Sequence, residues 1–269
     1  MIEALVRLAW VCGFAFSFLL SGCSWTMAHD PPPDVIAALA PGGSLRAAIN
    51  FGNPVLAQQD PATGEPRGVS AELARELGRR LGVPVAFVTF DTAGKVVEAL
   101  KTGAWDVAFL AIDPVRAAEI DFTAPYVVIE GTYLVPSDSP LQTVSDVDRE
   151  GVRVAVGRAS AYELFLTRTL RHATLVRTST SAAALDLFLA DRLEAAAGVR
   201  QPLVGFAAAH PDVRVMADRF MVIEQAMATP KGRAAGAAYL RTFIDEMKVS
   251  GFVARALAAS GQADAAVAP

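Results

Sequence analysis

WDVAFLAIDPVRAAEIDFTAPYVVIEGTYLV, residues 105–135, is the stretch that decides the fold. Residues 107–112 form an unbroken apolar run with small residues, which suits a strand covered on both faces better than an exposed helix. A buried strand has to surface, and Asp113-Pro114 is where it does, because proline suits a first helical position whose N–H would be unpaired anyway. The pattern predicts that Arg116 stands in the first turn of a helix at the carboxyl end of a buried strand. In open α/β sheets the ligand crevice lies at that end. Unless Glu119 or Asp121 engages it, Arg116 is a candidate clamp for a carboxylate.

Downstream, residues 128–135 are extended and end in Pro136-Ser137-Asp138-Ser139-Pro140, the pattern of a strand that leaves a first lobe. Upstream, residues 44–50 (SLRAAIN) predict a first strand followed by the turn Phe51-Gly52-Asn53-Pro54. That placement turns Asn50 and Asn53 toward the crevice, or leaves Asn53-Pro54 as a plain turn. Residues 60–66 read as a hairpin-like loop. Ser70 is a candidate N-cap for a helix with Leu73, Leu77 and Leu81 on one face, stopped by Gly82 and Pro84. A strand over 85–90 and a helix over 92–102, closed by Gly103, lead back to the central strand, with Lys95 near the crevice. Alternating strands and helices predict a parallel sheet with right-handed crossovers.

A fresh α/β unit follows. Residues 152–156 predict a strand, 157–160 its turn and 161–171 a helix. A glycine turn into a helix capped by Ser160 is a ready anion site, since unpaired N–H groups and the positive helix end face outward there. Ser179 or Thr180 caps the next helix, 193–199 is a strand followed by Arg200-Gln201-Pro202, 203–209 is helical and 213–216 a short strand. Residues 221–229 read as a second crossing, and helices over 234–250 and 251–260 complete the first lobe. The expected fold is an α/β two-lobe clamp, each lobe a mostly parallel sheet flanked by helices, joined by two crossing strands. Its divisions are a leader over 1–23, a proline-rich tether over 24–43, lobe one over 44–133 and 223–269, and lobe two over 134–222.

With 53% hydrophobic and 19% charged residues the chain lies far from the disordered regime. A net charge of -4 with interspersed signs excludes a nucleic-acid surface, which needs a clustered basic face. The only cysteines, Cys12 and Cys23, lie in the leader, so the body carries neither disulfide nor thiol nucleophile. His29, His172 and His210 are scattered, and there is no G-x-G-x-x-G, P-loop or G-x-S-x-G motif; neither metal nor cofactor is expected. Residues 2–23 read as an export signal, with Arg7 before the apolar run 8–20 and Glu3 weakening the basic start. Leu20-Ser21-Gly22-Cys23 resembles a lipobox with Cys23 lipidated. The alternatives are cleavage after Ala28, or a true start at Met27 and a cytoplasmic protein.

LRAAIN, GVSAELARELGRRLGVPV, GAWDVAFLAIDPVRAAEIDFTAPY, VRVAVGRASAYELFL and AYLRTFIDEMKVSGFVARAL occur in that order. The series resembles the bacterial extracellular solute-binding proteins of the polar-amino-acid ABC-transporter class, type II periplasmic binding proteins, over about residues 44–260. The resemblance implies a periplasmic monomer, lipid-anchored if Cys23 is modified, whose lobes close on a small carboxylated solute and which then docks on a membrane ABC permease. It places the carboxylate-gripping arginine at Arg116, the N–H donors of the second lobe at Ala159, Ser160 and Ala161, and further ligand contacts at Asn50, Asn53 and Gln201. Ala111 stands where the family usually has a hydroxyl. Val199, followed by Arg200, stands where an acid commonly holds the ligand ammonium, and a buried ammonium without a counter-charge is expensive. Either Glu130 replaces that acid or the solute lacks an α-ammonium. The alternative is a lyase similar to cyclohexadienyl dehydratases, in which Glu130 or Glu163 moves a proton.

Overall fold

The computed structural model describes residues 31–269. The leader, the Cys23 lipid site and the alternative starts lie outside the described residues. Helix α1 (Pro33–Leu39) opens with proline at its first turn and sinks Leu39 fully into the core. The second half of the expected tether is therefore a packed element. Val35 and Leu39 are the residues it buries.

Strand β1 (Leu45–Asn50) leads through the hairpin β2 (Gln58–Gln59) and β3 (Pro66–Arg67) into α2 (Val69–Leu81). Ser70 is not its cap: Gly68, at φ 102°, is, and the Ser70 hydroxyl lies 3.1 Å from that of Tyr126 inside the core. Strand β4 (Val85–Phe90) and α3 (Ala93–Glu98) follow, the latter capped by Thr92, whose hydroxyl accepts the Lys95 N–H. β5 (Val107–Ala111) is buried throughout. The helix expected at Pro114 is a single 3-10 turn, Arg116–Ala118, because strand β6 (Ile120–Pro136) begins immediately after it.

Lobe two contains β7 (Arg153–Gly157), α4 (Ala161–Thr169), β8 (Thr174–Thr178), α5 (Ser181–Ala190), β9 (Ala195–Val199), α6 (Arg200–Ala209) and β10 (Val213–Val215). Strand β11 (Met221–Pro230) returns to lobe one, where α7 (Ala234–Val249), α8 (Phe252–Ala259) and β12 (Ala266–Val267) end the chain. The main sheet runs β4-β1-β5-β11-β6-β9-β7-β8. The β4-β1-β5 and β9-β7-β8 trios are parallel, whereas β6 and β11 pair antiparallel with each other and with their outer neighbours. Two parallel α/β lobes are thus joined by an antiparallel ribbon. The carboxyl ends of β1, β5, β7 and β9 all meet the space between them.

Candidate functional site

That space is a cavity of about 440 Å³, within the range of small-molecule sites. Arg116, Asn50, Asn53 and Ala111 line it from lobe one, and Ser160 and Ala161 from lobe two. Arg116 is only 3% exposed. One guanidinium nitrogen donates to the Ala111 carbonyl at 3.0 Å, and another crosses the cleft to the Ala159 carbonyl at 2.9 Å. Among the described residues no carboxylate forms an ion pair with it: Asp113, nearest in sequence, pairs instead with Arg168 of lobe two at 2.9 Å. Burial pushes the Arg116 guanidinium down to about 10, with Asp113 opposing.

The β7–α4 turn has the expected shape but distributes its donors differently. Ala159 adopts φ 56°, a left-handed conformation unusual for alanine, which coincides with its carbonyl receiving Arg116. Its own N–H goes to a Glu163 carboxylate oxygen at 3.1 Å, and the Ser160 N–H goes to the Gly157 carbonyl at 3.3 Å. The Ser160 hydroxyl accepts the Glu163 N–H at 3.1 Å. Ala159 and Ser160 therefore have no free N–H for an anion. The first-turn N–H groups of Ala161 and Tyr162 lack intrahelical acceptors and are the ones at the helix end.

Glu130 and Gln201 do not line the cavity. Glu130 lies in a separate depression, held by Arg200 at 2.7 Å and Arg219 at 2.5 Å. Hydrogen bonds from Arg219, then Arg200, hold its carboxyl below the usual carboxylate range against partial burial. Arg200 also donates to the carbonyls of Met216, Ala217 and Asp218, fastening the start of α6 to the chain before β11. Gln201 precedes the lining residue Pro202, and its Oε1 is buried without a partner. Glu163 is buried behind the turn and bonded to Arg177 at 2.6 Å and Thr167 at 2.9 Å. Both glutamates are thus engaged in ion pairs with arginines, Glu163 with Arg177 and Glu130 with Arg200 and Arg219.

Sequence reasoning missed Gln225, which is buried and faces the cavity from β11; a lone glutamine in the run MVIEQAMA was the available signal. It also missed Asp91, Arg158 and Tyr162 in the lining. Among the described residues no cluster of His, Cys, Asp or Glu is placed to hold a metal ion, and no helix is long and apolar enough to cross a membrane.

A two-lobed clamp with a ligand-sized cavity at its strand ends is a binding-protein architecture. The chain belongs to the bacterial extracellular solute-binding proteins, family 3, which it matches over residues 45–259. No curated protein sequence matches it. Among solved structures it resembles the amino acid ABC transporter substrate-binding protein AbpA from Streptococcus pneumoniae, bound to L-arginine. The TM-score is 0.73 at 20% identity, covering 85% of this chain and 98% of that one. The solute receptor for L-cysteine of Neisseria gonorrhoeae gives 0.73 at 23% identity over 84% and 92%. The ancestral amino acid-binding protein AncCDT-1, a precursor of cyclohexadienyl dehydratase, gives 0.68 at 24% over 81% and 94%. At these identities the likeness establishes the fold.

Proposed function

We propose that the protein is the extracytoplasmic solute-binding component of an ABC importer, taking a small carboxylated solute between lobe one (44–133 and 223–269) and lobe two (134–222). Arg116 carries this reading. A buried guanidinium with no anionic partner is an expensive arrangement, and a ligand carboxylate supplies the missing charge. The planar fork grips such a group through paired hydrogen bonds, while the open end of α4 at Ala161 faces the same cavity. Asn50 and Asn53 complete the lobe-one side, where the Asn53 Oδ1 is buried and unpartnered. The loaded clamp then meets its permease as a monomer, free in the periplasm or tethered through lipid on Cys23.

The test is Arg116→Ala in thermal unfolding. Ligand at about a hundred times its dissociation constant adds about 2.7 kcal/mol to the wild type, several degrees at this size. The variant is expected to lose that shift while keeping its own cooperative transition. A variant that folds and retains the full shift overturns the assignment.

A further inference from the structure

This inference rests on the reading of Arg116 as a carboxylate site and extends it to the rest of the solute. Among the described residues the cavity lining holds one carboxylate, Asp91, which is exposed and pairs with Lys95 at 2.8 Å. The other acids near the cleft are held elsewhere: Asp113 by Arg168, Glu130 by Arg200 and Arg219, and Glu163 by Arg177. The remaining wall is largely apolar, with Phe109, Leu110, Leu185, Val199, Leu203 and Ile223 lining the cavity. Val199, at the carboxyl end of β9, is buried. An ammonium enclosed against that wall would lose its hydration and gain no counter-charge, and each of its donors would need an acceptor.

The neutral polar groups fit a different solute. The Asn53 Oδ1 is buried without a donor, Gln225 is a buried amide in the lining, and the Tyr162 and Ser181 hydroxyls, 2.6 Å apart, stand on the lobe-two side. These groups satisfy a hydroxyl, a carbonyl or an amide. The formal balance agrees: one buried cation is neutralised by one carboxylate. The second arginine of the lining, Arg158, is exposed, where solvent screens it.

We propose that the cleft selects a small monocarboxylate with an uncharged, largely apolar body, such as a hydroxy, keto or N-acylated acid, in preference to a zwitterionic amino acid. The apolar wall from Val199 to Ile223 sets that preference, through the penalty it places on a charged amine.

Matched compounds test this by calorimetric titration of the purified protein. L-Phenylalanine is compared with L-3-phenyllactate and 3-phenylpropionate, and L-leucine with 4-methyl-2-hydroxypentanoate and N-acetyl-L-leucine. In at least one series the ammonium-free acids are expected to bind tenfold or more tightly than the amino acid of the same body, and Arg116→Met is expected to abolish that binding. An amino acid that equals or outcompetes its ammonium-free partners, with binding lost in Arg116→Met, overturns this inference and leaves the carboxylate site standing. Binding that survives Arg116→Met unchanged overturns both, and the absence of binding in either series overturns the inference for bodies of this size.

Discussion

Two buried charges carry opposite lessons at the scale of single residues. Asp106 is fully buried, yet it receives Arg46 through two bonds of 2.8 Å and Arg233 through a third of 2.8 Å. Burial pushes its carboxyl upward, but the bonds from Arg46 and Arg233 outweigh that and hold it below the ordinary carboxylate range. A folded pKa below the unfolded value means stability that is complete above the unfolded pKa of about 3.9 and is lost as the pH falls from there through the lower folded value. Asp106→Asn is expected to remove about 3 kcal/mol at pH 7, toward the lower end for a broken buried pair because both arginines keep some solvent contact. Thermal unfolding should show the gap between wild type and variant narrowing at pH 3; a gap of constant size would contradict the assignment. Arg116, by contrast, is held among the described residues by two carbonyls, of Ala111 and Ala159, and by no ion pair. It was legible in the sequence because its place after a buried strand is a local fact. The Asp106 network was not, since its partners lie far away in the chain. Glu130 misled for the same reason: nothing local shows that Arg200 and Arg219 converge on it.

At the scale of elements, helices with a strong apolar stripe were legible and the strand with mixed chemistry was not. Leu73, Leu77 and Leu81 fix α2 on the core, and all are buried. Its start needed three-dimensional information, because Gly68 works through a backbone angle rather than a side chain. A Cβ at Gly68 would stand 2.7 Å from the Leu56 carbonyl oxygen at φ 102°. Gly68→Ala is therefore expected to lower stability by about 2 kcal/mol through strain, read as a lower urea midpoint with unchanged slope. An unchanged midpoint would show that the turn relaxes freely. The first half of β6 hid behind Asp121, Thr123 and Pro125, which break the apolar pattern. Pro125 has no N–H for the ladder, and the pairing with β11 shifts register beside it, between Gln225 and Ala226. The same early start of β6 shortened the expected helix at Arg116 to one turn.

At the scale of the molecule, apart from the ion pairs of Glu130 with Arg200 and Arg219, the lobes touch through few side chains. Arg116 reaches Ala159, Arg168 reaches Asp113, and Gly94 of α3 lies against Ala159 so closely that a Cβ on it would sit 2.7 Å from the Ala159 Cβ. Gly94→Ala is expected to hold the lobes apart and weaken solute binding about tenfold or more. The unliganded protein should melt at the same temperature or slightly higher, because alanine favours the helix and restricts the unfolded chain. Full affinity in that variant would mean the Gly94–Ala159 contact is dispensable to the closed clamp. The fold as a whole was legible because alternating strands and helices recur in two blocks with an extended segment after each; the cross-cleft contacts were not, since they depend on the lobes' approach. The ribbon of β6 and β11 pairs from Gly131 and Met221 to Ile120 and Pro230. A twist along that ribbon would part the lobes at the cost of the cross-cleft contacts while leaving its ladder paired. A solute enclosed there would depart only when the clamp gapes, which would make residence time a property of the gate as well as of the grip. Two solutes of different affinity would then leave at rates drawn toward one another.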